Sequence, residues 1–401
     1  MPSIYKKDFP FFKNNKSLIY FDSAATSQKP LSVIDAECGF YLKHNSNIKR
    51  GSYDLAEAAT DMFESAREAV ADFIGAKPSE VVFNSGSTEG LNTVAGILRP
   101  LLKSGDEIIV SGMEHHSNLL PWLELAKSKN IKVKYVFPKD PDLVFMATDF
   151  LSEVTGKTRV IVFAGASNFT GNKVATSEIK KITDLAEEKN IFTVFDASQY
   201  VQHEVVNFRK MNVDFLSFSG HKLYAPMGTG VLAIKQEKHS QISPVKFGGE
   251  MVKRVRMKDV IYEDFPYILE GGTPNVSGAI ALAAALKYLK SKGVKGIMKY
   301  EKELLAYLLS SLKKVKGVDI YGSKAIKDKI PLVSFNIKGL HAHDVGYFLN
   351  QKKIAVRVGE HCVGLAHEYL CIPSSVRVSL SLYNSKEEID KLVRALSTLV
   401  G

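Results

Sequence analysis

The chain has 401 residues, of which 45% are hydrophobic and 24% are charged, a composition typical of a globular protein with a large core and two domains. Its formal charge of +10 comes from basic residues that are mostly spread over helical stretches rather than grouped with aromatic ones, which argues against a nucleic-acid partner. Three cysteines are too few for a disulfide framework, and the sequence contains neither a secretory signal nor a run long enough to span a bilayer, so we expect a cytoplasmic protein without membrane contact.

Over residues 81–234, short apolar runs alternate with amphipathic stretches at the spacing of βα units. The clearest helix is predicted at 177–189, where Ile179, Ile182 and Leu185 share one face. We therefore predict an α/β fold with one large, mainly parallel seven-stranded sheet that carries helices on both faces. The strands are predicted at residues 81–84, 107–110, 133–137, 159–164, 191–195, 213–218 and 230–234.

After about residue 288 the pattern changes, and a smaller α+β domain is predicted. We assign residues 22–288 to the large domain, and residues 1–21 and 289–401 to the small one. The apolar stretch at 279–286 has the length of a buried helix segment. The elements of the small domain are predicted as a helix at 294–314, strands at 332–336 and 376–382, and a terminal helix at 386–399.

A phosphate site is indicated by the sequence NSGSTEG at residues 84–90, which joins a predicted strand to a predicted helix at 91–98. Small residues let backbone N–H groups approach an anion, and a helix N-terminus adds partial positive charge. Because an ordinary capped helix start uses the same residue types, this motif does not decide the question alone.

An amine and a carboxylate are expected at the same edge of the sheet. Asp196 follows the predicted strand at 191–195, and Lys222 closes the tetrapeptide SGHK after the strand at 213–218. Ligands of open α/β sheets collect at the carboxyl ends of parallel strands. A pyridoxal ring needs a lysine that condenses with its aldehyde and an acid that keeps its ring nitrogen protonated. Together with the loop at 84–90, these two residues predict a pyridoxal phosphate site.

Other motifs are less specific. His115 and His116 follow the strand at 107–110 at the same edge, where a structural histidine is an equal alternative. The glycines at 228–230 spell a dinucleotide motif but lead into a strand instead of a helix. His341 and His343 have no accompanying ligand cluster, so we expect no metal there and a helix that starts at Asp344.

A series of motifs extends over nearly the whole chain in a fixed order: FDSAA at 21–25, RG at 50–51, STEG at 87–90, EHH at 114–116, SN at 167–168, DASQ at 196–199, SGHK at 219–222, EGGTPN at 270–275, RVGEHC at 357–362, and Arg377. In these motifs the chain resembles the class V aminotransferase-like family of pyridoxal phosphate enzymes and, within it, the SufS-type (group II) cysteine desulfurases. The resemblance implies the type I fold of pyridoxal-phosphate-dependent transferases and a homodimer.

The resemblance also implies a role for each matching residue. Lys222 holds the cofactor, Asp196 pairs with the ring nitrogen, and His115 stacks on the ring and carries protons. The remaining cofactor ligands are Gln199 at the ring hydroxyl and Thr88, Ser219, His221 and, from the neighbouring subunit, Thr273 at the phosphate. The residues that bind the substrate are Asn168, Arg357 and Arg377, and a guanidinium orients a carboxylate as well as balancing its charge.

Cys362 selects the reaction that the resemblance implies. The matching cysteine takes the sulfur of L-cysteine as a persulfide, releases L-alanine and passes the sulfur to an acceptor or scaffold protein for iron–sulfur cluster assembly; selenocysteine is a further expected substrate. Arg357 and His361 would favour the thiolate if they face it. The chain departs from many relatives at Glu360, which replaces a histidine, and at residues 363–364, so a nearby carboxylate either lowers the reactivity of the thiol or selects the acceptor.

Two alternatives stay open on the sequence. The first is a transamination or racemisation on the same cofactor, in which Cys362 has no role. The second is a basic binding protein without activity. The basic run at 253–258 either helps to dock a sulfur acceptor or forms a simple exposed hairpin, and Cys38 and Cys371 are expected to be inert, small apolar residues.

Overall fold

The computed structural model describes residues 3–401. Within that range the chain forms fifteen strands: β1 (Ile19–Tyr20), β2 (Val81–Asn84), β3 (Glu107–Ser111), β4 (Lys132–Val136), β5 (Thr158–Ala164), β6 (Phe192–Asp196), β7 (Phe215–Ser219), β8 (Gly230–Ile234), β9 (Val252–Arg256), β10 (Asp259–Tyr262), β11 (Val318–Tyr321), β12 (Leu332–Ile337), β13 (Ile354–Ala355), β14 (Arg357–Gly359) and β15 (Ser375–Ser379).

The same residues form thirteen α-helices: α1 (Phe11–Asn14), α2 (Leu31–Lys43), α3 (Asp54–Ile74), α4 (Ser87–Leu98), α5 (His116–Lys129), α6 (Ala147–Leu151), α7 (Thr176–Glu188), α8 (Phe208–Met211), α9 (Val276–Lys292), α10 (Val294–Leu312), α11 (Ala342–Gln351), α12 (Gly364–Tyr369) and α13 (Lys386–Val400). No helix of the described chain is both long enough and apolar enough to cross a membrane.

The large sheet has seven strands in the order β2-β8-β7-β6-β5-β3-β4, and only β8 runs antiparallel to its neighbours. Both faces are covered, because alternate residues of one strand enter different cores. In β5, Ile161 and Phe163 join one hydrophobic cluster, whereas Val160 and Val162 join another. The predicted seven-stranded, mainly parallel sheet is therefore confirmed, with strand bounds within two residues of those predicted.

A second sheet of four antiparallel strands has the order β11-β12-β15-β14. Its apolar face shares a core with α10, α11 and α13, as the pattern of Leu304, Leu308 and Leu312 on α10 requires. β1 pairs with β13, so the start of the chain lies against this C-terminal part. The division into domains at residues 22 and 288 stays a prediction, and residue 288 lies inside α9.

Two local predictions need correction. The helix expected to start at Asp344 begins at Ala342 instead, because the Nδ1 atom of His341 caps it by accepting from the His343 amide at 3.4 Å. Cys38 and Cys371 are both exposed, so neither is a packed apolar residue.

The basic run at 253–258 forms the exposed hairpin β9–β10, where Lys253 pairs with Asp264 and Arg254 with Asp259.

Candidate active site

A cavity of about 220 Å³ opens at the carboxyl edge of the large sheet. That volume is several times the roughly 30 Å³ that one water occupies in the liquid, so the cavity has room for a small organic molecule. Its walls come from the ends of β6 and β7, the first turns of α4 and α5, and the strands β14 and β15 of the small sheet. The lining residues are Ala24, Ala25, Ser87, Thr88, His115, Ser117, Asn168, Asp196, Ser198, Gln199, Ser219, His221, Lys222, Arg357, His361 and Arg377.

Lys222 closes a single 3₁₀ turn, Gly220–Lys222, that follows β7 directly. The turn needs a glycine at residue 220, because a Cβ there would lie 3.0 Å from the backbone oxygen of Thr229. Burial lowers the pKa of Lys222; the charge of Asp196 opposes this effect, whereas Arg377 and Arg357 add to it. The lysine is thereby shifted towards the neutral amine, the form that is nucleophilic and can accept a proton.

Asp196 is the last residue of β6 and is almost completely buried. Among the described residues its hydrogen-bond donors are neutral, namely the Ser198 amide at 2.8 Å and the Ser87 hydroxyl at 3.4 Å. Neutral donors leave its negative charge available to a cationic ligand, such as a protonated ring nitrogen.

His115 is the N-cap residue of α5, and its Nδ1 atom accepts from the Ser117 amide at 3.1 Å. This bond places the ring proton on Nε2. Burial, followed by the charge of Lys222, lowers the pKa of His115 to about 4. The imidazole is therefore neutral at physiological pH and can lie against an aromatic ring without an ion to desolvate.

The turn between β2 and α4 has the features of an anion site. Gly86 has a φ of 149°, and a Cβ on it would lie 3.2 Å from the Ser219 hydroxyl, so glycine suits both the conformation and the space. That hydroxyl accepts from the Ser87 amide at 2.8 Å, and the Thr88 and Ser117 hydroxyls lie 2.8 Å apart. Since α4 begins at Ser87, its positive end points at these hydroxyls.

Several buried polar atoms of the lining residues have no hydrogen-bond partner among the described residues. They include Ser198 Oγ, His221 Nδ1 and Arg377 Nε. Unpaired buried polar atoms are uncommon, because each costs free energy, and a group of them around one cavity indicates a polar ligand. An amine, a buried carboxylate and a hydroxyl-rich helix N-terminus suit an aldehyde, a ring nitrogen and a phosphate, so the residues fit pyridoxal phosphate.

Two arginines from the small sheet reach the same cavity, because Arg357 and Arg377 are direct cross-strand partners. Arg377 donates to the Asn168 carbonyl at 2.8 Å and to Asp22 Oδ1 at 3.0 Å. Burial lowers the pKa of Arg377 to about 10, which keeps the guanidinium charged at neutral pH. A fixed, buried cation with a free Nε is suited to a carboxylate ligand.

Cys362 lies in the loop between β14 and α12, which we call the thiol loop (residues 360–363). Its Sγ atom lies 3.9 Å from an Nη atom of Arg357. His361 and Cys362 have φ angles of 53° and 59°, a left-handed conformation that non-glycine residues seldom adopt. The Asn168 side chain donates to the His361 carbonyl at 2.7 Å and so anchors the loop.

The structure brings most of the predicted site residues together. Ten of the twelve line the cavity, and Cys362 contacts Arg357 at its border. Thr273 is the exception: it lines a different pocket, with Phe83, Lys246 and the glycines at 271–272.

The sequence left open whether His361 faces the thiol, and in the structure its ring faces Ser375. Its Nε2 atom lies 2.9 Å from the Ser375 hydroxyl, and burial lowers its pKa to about 2, so it supplies no positive charge. The motifs also left Ser117 without a role, although it lines the cavity; the only signal was a hydroxyl in the first turn of a helix that follows a strand at the ligand edge.

Known proteins resemble this chain over almost its full length. The model of the family described as aminotransferase class-V matches residues 19–392. A probable cysteine desulfurase of Halalkalibacterium halodurans is 38% identical over 396 residues, which cover 98% of this chain and 96% of that protein. The apo structure of a cysteine desulfurase from Thermococcus onnurineus is similar with a TM-score of 0.94 at 35% identity, covering 100% of this chain and 98% of that one. The cysteine desulfurase CsdA of Escherichia coli follows with a TM-score of 0.90 at 32% identity, covering 99% and 97%.

Proposed function

This chain belongs to the aminotransferase class-V family, and from that membership we propose that it is a pyridoxal-phosphate-dependent cysteine desulfurase with Cys362 as the sulfur-accepting residue. The reaction converts L-cysteine and the Cys362 thiol into L-alanine and a Cys362 persulfide. Every atom is conserved in this exchange, so no further oxidant or reductant is needed.

The lining residues divide into those that would hold the cofactor and those that would hold the substrate. Lys222, Asp196, His115 and Gln199 would hold the ring, while Thr88, Ser219 and His221 would bind the phosphate. When bound, pyridoxal phosphate supplies an electron sink for the negative charge that forms at the substrate Cα. Arg377 and Asn168 would orient the substrate carboxylate, and Arg357 would lie between substrate and thiol.

The chain's own groups carry the proton and the sulfur. The amine of Lys222, whose pKa is lowered by burial, takes the proton from the substrate Cα. The thiolate of Cys362 then bonds to the substrate sulfur, and the carbon–sulfur bond breaks with its electron pair left on carbon. Protonation of that carbon and return of a proton to Cα then give alanine, with Lys222 and His115 as the nearby carriers.

One observation carries the choice of reaction, namely the 3.9 Å contact between Cys362 Sγ and an arginine that lines the lysine cavity. The positive charge of a guanidinium stabilises a neighbouring thiolate, which is the nucleophilic form of cysteine. A transaminase or racemase of the same fold needs no such thiol, so those reactions remain the alternative to be tested.

The experiment is mass spectrometry of the holoenzyme after incubation with L-cysteine, with peptides resolved around each cysteine. We expect one added sulfur on the peptide that contains Cys362, and none there in Cys362→Ser. Cys371→Ser is the matched control, because Cys371 is exposed and only nine residues away, and it should leave the added sulfur in place. Formation of a keto acid or of D-cysteine without a persulfide would establish the alternative.

We further propose that the enzyme is a cytoplasmic homodimer that passes its sulfur to an acceptor or scaffold protein for iron–sulfur assembly and that also accepts selenocysteine. Support for the dimer is that Thr273 lies outside the cavity of its own subunit, although the resemblance gives it a phosphate contact. Sedimentation of the holoenzyme tests the dimer, and loss of the cofactor from Thr273→Val tests the shared site.

A further inference from the structure

The thiol loop has a conformation that needs outside support. His361 and Cys362 are consecutive residues with positive φ angles of 53° and 59°. Non-glycine residues in this region are strained and persist only where surrounding contacts hold them. The contacts of the loop therefore decide where the Cys362 sulfur lies.

His116 makes two hydrogen bonds to the backbone at and just after Cys362. Its backbone N–H donates to the Cys362 carbonyl at 2.8 Å, and its Nε2 atom accepts from the Gly364 N–H at 3.1 Å. Both N–H groups are the first of a helix, His116 of α5 and Gly364 of α12, so neither has a partner inside its own helix. His116 thus gives each of these N–H groups a hydrogen-bond partner and links the starts of α5 and α12.

Two further anchors of the loop act on the preceding residue, His361. Asn168 holds the His361 carbonyl at 2.7 Å, and Ser375 holds the His361 ring at 2.9 Å. At Cys362 itself, His116 holds the carbonyl, and Arg357 contacts the Sγ atom at 3.9 Å. The preceding residue, His115, lines the cavity, and the two imidazole centroids lie 6.4 Å apart. The turn that borders the cofactor cavity is therefore also the turn that fixes the thiol.

We propose that His116 is a positioning residue that holds the Cys362 thiol in register with the cofactor cavity. The proposal rests on Cys362 being the sulfur acceptor, and it assigns His116 no contact with substrate or cofactor. It predicts that the length of the side chain at residue 116, rather than its charge or aromaticity, sets how well the thiol attacks.

Two substitutions at residue 116 separate the effect of side-chain length from that of side-chain polarity. In His116→Gln the amide oxygen extends about as far as Nε2 and can accept from Gly364, whereas His116→Asn is polar and tolerated at a helix start but too short. Both keep the backbone N–H at residue 116, so the helix start is preserved. His343→Asn is the control, because His343 is an exposed histidine in the first turn of another helix, α11.

The first readout is hydrogen exchange of the Gly364 amide in the holoenzyme, with the cofactor absorbance as a check of loading. We expect exchange about fivefold to tenfold faster in His116→Asn, the effect of one lost hydrogen bond, and a rate near wild type in His116→Gln and His343→Asn. Equal exchange in His116→Asn and wild type would overturn the contact between the ring and the loop.

The second readout is the rate of persulfide formation. We expect kcat about tenfold lower in His116→Asn, with KM within about twofold of wild type, and recovery of most of that loss in His116→Gln. Faster exchange without a change in kcat would refute the positioning role. If wild type places no sulfur on Cys362, the proposed function fails, and the exchange rates still decide whether His116 holds the loop.

Discussion

The cofactor end of the large sheet and the thiol loop hold their functional groups in different ways. Asp196 is the last residue of a buried strand, and Lys222 lies one turn after the neighbouring strand, so sheet register fixes both. Cys362 lies in a loop with left-handed residues, and contacts from separate segments, including Asn168 and His116, hold it. The first arrangement depends on the whole sheet, whereas the second depends on a few hydrogen bonds and is easier to change without unfolding.

The largest expected effects test whether the two regions have separate roles. Lys222→Ala and Cys362→Ser should each lower persulfide formation by about 10³-fold or more, because each removes a reacting group. They should differ in cofactor chemistry: Lys222→Ala loses the absorbance band of lysine-bound cofactor, whereas Cys362→Ser keeps it. Absorbance spectra and persulfide mass spectra of both variants make the measurement. Loss of the band in Cys362→Ser would contradict the separation of roles.

The two arginines sharpen the comparison, since they are cross-strand neighbours with different surroundings. Arg377→Lys keeps a cation beside Asp22 but loses the planar fork, so we expect kcat/KM to fall about 100-fold, mostly through KM. Arg357→Lys leaves a cation near the thiol, and we expect about a tenfold loss, mostly in kcat. Steady-state kinetics with L-cysteine measure both effects. A loss mostly in kcat for Arg377→Lys and mostly through KM for Arg357→Lys would mean that the two arginines have the opposite roles.

The same contrast explains what the sequence could and could not predict. Strand ends follow from apolar runs, so the sequence located Asp196, Lys222 and the loop at 84–90 at one edge of the large sheet, and the structure brings them together. Six of the seven strands are largely buried, so their apolar runs are visible in the sequence, whereas the edge strand β4 is mostly exposed or half-buried. Helices α2 and α3, which precede the first predicted strand, were not predicted.

The remaining features depend on contacts between distant segments. The direction of the His361 ring is set by Ser375, a residue of another strand, so the sequence left open whether the ring faces Cys362. The tie between His116 and Gly364 spans 248 residues and has no signal in local sequence.

A buried carboxyl tests the electrostatics of the cofactor end. Glu114 is 2% exposed and accepts from the Asn118 side chain at 2.6 Å and the Ala164 amide at 2.8 Å. Burial raises its pKa to about 8, with Asp196 a lesser cause. A folded pKa above the unfolded value of 4.5 means that the folded state binds the extra proton, so this stabilisation is complete below pH 4.5 and is lost as pH rises towards 8.

We therefore expect Glu114→Gln to gain stability relative to wild type as pH rises from 5.5 to 7.5, by about 1.4 kcal/mol per pH unit. The neutral amide can take the place of the protonated acid, because the unpaired Asn118 Oδ1 can accept from it once the Asn118 amide is rotated. Urea unfolding at the two pH values measures the difference. Parallel stabilities of variant and wild type would show that Glu114 is already ionised in the fold.

Stability that arises in the thiol region has the opposite pH dependence, and the titrating group there is His361, which is 3% exposed. Its folded pKa of about 2 lies below the ordinary value of 6.5, so its contribution to stability is present above pH 6.5 and is lost as pH falls. We expect wild type to lose about 1 kcal/mol more than His361→Gln between pH 6.5 and 5.5. In His361→Gln the side-chain amide remains a hydrogen-bond partner for Ser375. The control His343→Gln replaces an exposed histidine, and its loss of stability should equal that of wild type. Equal losses in all three proteins would refute this assignment.

The smallest expected effect concerns Glu360, the residue at which the thiol loop departs from many relatives. A Cβ built on Gly364 would lie 3.5 Å from a carboxylate oxygen of Glu360 and 3.4 Å from His116 Nε2, so the carboxylate reaches the start of α12 close to the thiol. A negative charge here opposes formation of the Cys362 thiolate. Because Glu360 is exposed, solvent screens that repulsion, and Glu360→Gln should raise the single-turnover rate of persulfide formation only about twofold to threefold.

The effect of Glu360→Gln should shrink at high salt if it is electrostatic, whereas a change in loop geometry would persist. Single-turnover rates at low and high ionic strength separate the two causes, with Glu368→Gln on α12 as a control that removes a carboxylate farther along the same helix. A rate decrease in Glu360→Gln would mean that the carboxylate helps to hold the thiol loop. The loop would then depend on one more side-chain contact, and its contrast with the cofactor end of the sheet would become greater.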